Sequence, residues 1–129
     1  MENRKLLIWI FISGALAVAI GAFGAHGLRP YMDDAGYASF QTGNRYHFYH
    51  TLLALGLLVW NHNKINLVKW AVRCSLIGNV LFAGSLYCLS VRSSIHIAPI
   101  VGPITPVGGL FYLASWLIGI ILAINWLKN

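Results

Sequence analysis

Residues 21–28 read Gly-Ala-Phe-Gly-Ala-His-Gly-Leu, and two more histidines, His47 and His50, follow in the next apolar stretch. Imidazole donates, accepts and ligates metal near neutral pH. An ionisable ring at the edge of an apolar run is expensive to keep, so each histidine is a candidate site residue. His47 and His50, three residues apart, share one face if this stretch is helical. His26 paired with His47 or His50 would give a haem or metal two nitrogen ligands. No carboxylate or thiol lies close in sequence to complete a metal shell, and Cys-x-x-Cys-His is absent. The three acidic residues, Glu2, Asp33 and Asp34, are terminal or in a loop. Ser85 has no base evident beside it, so catalysis is disfavoured and no cofactor is expected.

The elements that must position these residues are four apolar stretches. Charged residues make up 9% of the chain and hydrophobic ones 58%. A soluble domain carries about a quarter charged residues, so this chain could not cover a core with polar surface. The stretches run from about Leu6 to Leu28, Tyr46 to Trp60, Val68 to Val91 and Ile104 to Leu127. About 20 apolar residues cross a hydrocarbon core ~30 Å thick, and the second stretch is short on that count. The expected fold is all-α: a four-span bundle in a single membrane domain covering residues 1–129. Pro30 should stop the first helix, and Asp33 or Asp34 should cap a short interfacial helix that leads into span two.

The net charge of +6 comes from basic residues that flank the apolar runs, with no basic stripe for nucleic acid. Arg4, Lys5, Lys64, Lys69, Arg73 and Lys128 fall on one side. Arg29, Arg45 and Arg92 fall on the other, diluted by Asp33 and Asp34. This bias places both termini in the cytoplasm of a plasma or bacterial inner membrane. Trp9, Trp60, Trp70 and Trp126 then form a cytoplasmic belt; Tyr31, Tyr37, Tyr46, Tyr49 and Tyr87 form an outer one. Arg4-Lys5 before an apolar run also fits a signal peptide, but the run is too long for one and its glycines continue past any cleavage site.

Small residues at four-residue spacing predict close helix packing: Ser13, Ala17, Gly21 and Ala25; Ala71, Ser75, Asn79 and Ala83; Ser115, Gly119 and Ala123. Asn79 is expected to hydrogen-bond between helices. Cys74 and Cys88 lie roughly 21 Å apart on one helix and cannot bond to each other. Residues 97–106 are too apolar for a solvated loop, and their prolines predict an extended segment. Thr105-Pro106 reads as a helix start, with threonine as N-cap, and Gly108 and Gly109 follow in a first turn that could favour an anion.

Gly21–Leu28, Phe40-Gln-Thr-Gly43, Tyr49-His50, Gly84-Ser-Leu-Tyr87 and Ile104-Thr-Pro-Val-Gly-Gly109 occur in the order found in the domain-of-unknown-function 423 family, which this chain resembles over nearly its whole length. That family of small bacterial membrane proteins is similar to transmembrane protein 256. The resemblance implies a four-span membrane protein and supplies no activity. The chain departs from the family pattern at His47 and in the prolines around Pro99 and Pro103. In the four-span register the shared motifs fall in the outer half of the bundle. They predict a pocket lined by His26, His50, Tyr87 and Thr105, with Gly108 and Gly109 beside it. Such a pocket suits a lipid-like ligand or a membrane-protein partner, in a bilayer-embedded monomer or homo-oligomer. Small-solute or ion transport by an oligomer, and haem or metal binding, are the alternatives.

Overall fold

The computed structural model describes residues 2–60, 65–92 and 98–128, and these are helical throughout apart from short turns. Helix α1 spans Glu2–Phe23 and continues through a π-helical turn, Gly24–Leu28, and a 3-10 turn, Arg29–Tyr31. Helix α2 spans Asp34–Trp60 and α3 spans Ile65–Gly78. A second π-helical turn, Asn79–Ala83, joins α3 to α4, Gly84–Ser90. A four-residue helix α5, Ala98–Val101, precedes the long α6, Ile104–Leu127.

Among the described residues, three stretches are long and apolar enough to cross a membrane: Glu2–Tyr31, Asn66–Ser90 and Ala98–Leu127. Helix α2, with 27 residues, reaches about 40 Å and is long enough. Its first two-thirds are too polar to stand out by composition, because they carry Gln41, Asn44, Arg45, His47, His50 and Thr51. The polar residues are sorted by face. Gly36, Phe40, Gly43, His47, His50, Ala54 and Leu57 are all buried, and they recur at alternating four- and three-residue steps. That repeat keeps one stripe against neighbouring helices along the whole length. Helix α2 packs on α1, α3, α4 and the second π turn, whereas α6 packs on α3 and that same turn.

The wholly apolar part of the core lies toward the end that holds the N-terminus. There Leu6, Ile10, Ala54, Leu57, Val68, Val72 and Leu122 interlock. Glu2 ties this end together through Lys69 Nζ at 2.7 Å and through the Arg73 guanidinium. The small-residue stripe of the third apolar stretch is buried at all four positions, Ala71, Ser75, Asn79 and Ala83. Ser115 Oγ reaches across from α6, lying 2.8 Å from Ser75 Oγ and donating to the Ala71 carbonyl at 2.9 Å.

Several local expectations change. No separate interfacial helix lies before span two, because α2 runs unbroken from Asp34. Asp33 Oδ1 caps it by accepting from the Gly36 N–H at 2.5 Å. With its first turn satisfied, nothing interrupts the helix before Trp60. Ala98–Val101 is helical rather than extended, since Pro99 occupies its first turn, where a proline costs no hydrogen bond. Helix α6 begins at Ile104, and Thr105 is not its cap. The Thr105 hydroxyl instead meets Ser85 Oγ at 2.7 Å. Lys64 and Ile97, used above in reading charge and loop, lie outside the described residues.

Gly108 marks where α6 crosses the second π turn. A Cβ there would collide with the backbone of Phe82 and Leu81. At Gly109 a Cβ would meet only the Phe82 ring edge, at 3.8 Å. Gly108→Ala is therefore expected to destabilise by about 1–3 kcal/mol through overpacking. Gly109→Ala should be neutral or slightly stabilising, because alanine favours helix. Thermal unfolding of the two variants in the same detergent checks the contrast.

Candidate functional site

Six polar side chains from all four long helical segments meet inside the bundle. Ser13 comes from α1, His47 and Thr51 from α2, Asn79 from the π turn, Tyr87 from α4 and Tyr112 from α6. Apart from Tyr87, which is half-buried, each is buried. Lipid offers nothing to hydrogen-bond, so these groups must satisfy one another.

The protons can be assigned in order. Thr51 Oγ1 donates to the His47 carbonyl at 2.8 Å, so it accepts from Ser13 Oγ at 3.0 Å. With the Ser13 proton used there, His47 Nε2–H is the donor to Ser13 Oγ, also at 3.0 Å. His47 Nδ1 then accepts from the Tyr87 hydroxyl at 3.1 Å, whose oxygen accepts from Asn44 Nδ2 at 3.2 Å. Asn79 closes the set. Its Nδ2 donates to Ser13 Oγ and Thr51 Oγ1, both at 3.0 Å, and its Oδ1 accepts from the Tyr112 hydroxyl at 2.8 Å.

His50 belongs to a second cluster on the same helix. Its Nδ1–H donates to the Tyr46 carbonyl at 2.8 Å, and its Nε2 accepts from Trp116 Nε1–H at 3.2 Å. The ring stacks on Tyr112, with centroids 3.4 Å apart and planes 11° from parallel. Tyr46 and Phe82 pack around the pair. His47 and His50 are thus neutral in opposite tautomers, one Nε2–H and the other Nδ1–H. Neither leaves a lone pair free for a metal. Among the described residues no group of three or more His, Cys, Asp or Glu side chains could hold one.

Two grooves open beside these clusters. One, of about 930 Å³, lies between α2 and α6; Tyr46, Tyr49, His50, Tyr112 and Trp116 line it with Leu52, Leu110 and Leu113. The other, of about 360 Å³, lies between α1 and the third apolar stretch, with Ser13, His47, Asn79 and Tyr87 in its wall.

The residues proposed from sequence are divided among these places. His50 and Gly109 line the larger groove, and Tyr87 lines the smaller one. Thr105 pairs with Ser85, and Gly108 is buried at a helix crossing. His26 stands exposed on the first π turn and makes no hydrogen bond among the described residues. The two grooves do not bring His26, His50, Tyr87 and Thr105 together. Sequence reading passed over Thr51, Tyr112 and Trp116. Tyr112 gave a signal, because a phenol eight residues inside an apolar helix must find a buried partner. Cys74 is half-buried and Cys88 exposed, and both are free thiols.

Apolar helices turned outward around a polar interior define a helical membrane protein. A family profile described as a protein of unknown function (DUF423) matches residues 20–109. The UPF0382 inner membrane protein YgdD of Escherichia coli (strain K12) is 42% identical over 97% of this chain and 93% of its own length. The UPF0382 membrane protein YwdK of Bacillus subtilis (strain 168) is 39% identical over 90% of this chain and 93% of its own. A UPF0382 membrane protein of Haemophilus influenzae is 35% identical over 91% of this chain and 90% of its own. No solved structure matches. The chain belongs to the DUF423 family of membrane proteins.

Asn79→Leu removes three hydrogen bonds and orphans the Tyr112 hydroxyl. The variant is expected to lose about 1–3 kcal/mol of stability. Ser13→Ala in the Asn79→Leu background should then cost less than Ser13→Ala alone, since the two residues share a bond. Unfolding of the single and double variants in detergent measures that coupling.

Proposed function

We propose that the chain crosses the membrane four times with both termini in the cytoplasm, and that it binds a lipid-like amphiphile in the groove between α2 and α6. The observation that carries the ligand reading is the groove itself. Its volume of about 930 Å³ falls within the range of small-molecule sites, and its wall joins apolar side chains to an ordered stack of rings. Leu52, Leu53 and Leu113 suit an acyl or isoprenoid tail, whereas the Tyr46 and Tyr49 end suits a polar head. The fourth crossing is supported by α2, whose mid-helix polar residues His47, His50 and Thr51 face partners within the bundle rather than lipid. Six basic residues on the side of the two termini, against three on the other, support the orientation. The role is binding or scaffolding rather than catalysis.

Span parity is tested by reporter fusions. With four crossings, fusions at the two termini report the same compartment, the cytoplasm. With three, they report opposite ones. The groove is tested with a photoreactive fatty acid added to cells before purification. Cross-links should concentrate on α2 and α6, and Leu113→Trp, which fills the groove from an exposed position, should reduce them severalfold. Even labelling around all helices, unchanged by that substitution, would sink the ligand reading.

A further inference from the structure

A third cavity, of about 320 Å³, lies away from both grooves, between the end of α1 and the first half of α2. Gly21 and Ala25 form one wall, and Tyr37, Gln41, Asn44 and Arg45 line the other. Asn44 is fixed across it, donating to the Ala17 carbonyl at 2.8 Å. The depth is set by helix geometry. Gly21 lies nineteen residues along α1 from Glu2, which is roughly 28 Å. Glu2 with Lys69 and Arg73 forms a charged cluster at one end of the bundle. With that cluster at one interface, the cavity falls at the far boundary between hydrocarbon and headgroups, because the core is ~30 Å thick.

Arg45 is the one lysine or arginine that lines the cavity. The chain has three carboxylate side chains. Glu2 pairs with Lys69 and Arg73, Asp34 pairs with Arg29 at 3.2 Å, and Asp33 caps α2. None lines the cavity, and Arg45 has no ion pair among the described residues. Its counter-ion must come from outside the chain. At this depth the available anion is a phosphate, which a guanidinium binds through paired N–H donors. We propose that this cavity is a site for the phosphate of an anionic phospholipid such as phosphatidylglycerol. No carboxylate is present to receive the ammonium of a zwitterionic headgroup. The Tyr37 ring face is already covered by Arg29, 4.5 Å from its centroid. The Tyr37 hydroxyl and the Gln41 carboxamide remain to hydrogen-bond glycerol hydroxyls.

The test is native mass spectrometry of the full chain released from nanodiscs containing equal parts phosphatidylglycerol and phosphatidylcholine, with inorganic phosphate as a separate arm. Phosphatidylglycerol should be retained about tenfold over phosphatidylcholine, because the choline ammonium would sit near Arg45 with no carboxylate to receive it, a difference of about 1.4 kcal/mol. Arg45→Gln should bring the ratio toward one, and so should Ala25→Leu, which fills the cavity without changing charge. Leu113→Trp, in the other groove, should leave the ratio unchanged, so failure here is separable from failure of the amphiphile reading. Equal retention of the two lipids, or a preference that survives Arg45→Gln in folded protein, overturns the proposal. Millimolar inorganic phosphate that abolishes retention would reassign the site to a free anion.

Discussion

The three hydrogen bonds of Asn79 hold the remaining polar interior in place. Its carboxamide bridges α1, α2 and α6 through Ser13, Thr51 and Tyr112. In lipid, apolar surface gives helices no reason to associate, because acyl chains solvate it as well as a neighbouring helix does. Packing contacts and internal hydrogen bonds must then decide which faces meet. A residue that bonds to three other elements at once admits few alternative arrangements. Ser13 and Thr51 are bonded again and Tyr112 stacks on His50, so a rotation of one helix would orphan several groups together.

The backbone is shaped to permit this. The π turn at Asn79–Ala83 widens the helix where α6 arrives, and Gly108 lets the two backbones touch. Gly36 does the same at the start of α2, where a Cβ would strike the Ser90 carbonyl. Wide helical turns recur where a helix must offer irregular surface to a neighbour or ligand. Here the wide turn serves both the network and the aromatic stack, because Phe82 lies within it and packs on Tyr112. The His50 groove and the Asn79 network therefore meet at Tyr112.

Much of this was legible in the sequence. Apolar runs and flanking charges marked the membrane class, and four-residue stripes located Ala71, Ser75, Asn79 and Ala83 on a packed face. Pro30 and the acidic pair marked a helix start capped by Asp33 or Asp34, and the structure uses Asp33. The stretch 97–106 misled because proline was read as a helix breaker, whereas in a first turn it costs nothing. Thr105 misled because a hydroxyl with a buried partner across the bundle has no need to cap its own helix. The site was harder. Periodicity put His47 and His50 on one face of α2, and both are buried there, yet it did not tell that one turns toward α1 and α4 and the other toward α6. Those directions depend on helix rotation, which distant partners set.

The central claim is that α2 keeps its polar face because each ring nitrogen on it is matched inside the bundle. Nitrogen-15 NMR of protein labelled in histidine and reconstituted in lipid reads the ring protons directly. The account predicts two neutral, slowly exchanging rings in opposite tautomers, Nε2–H for His47 and Nδ1–H for His50. Both rings in the same tautomer, or both averaged between tautomers as in water, would contradict it.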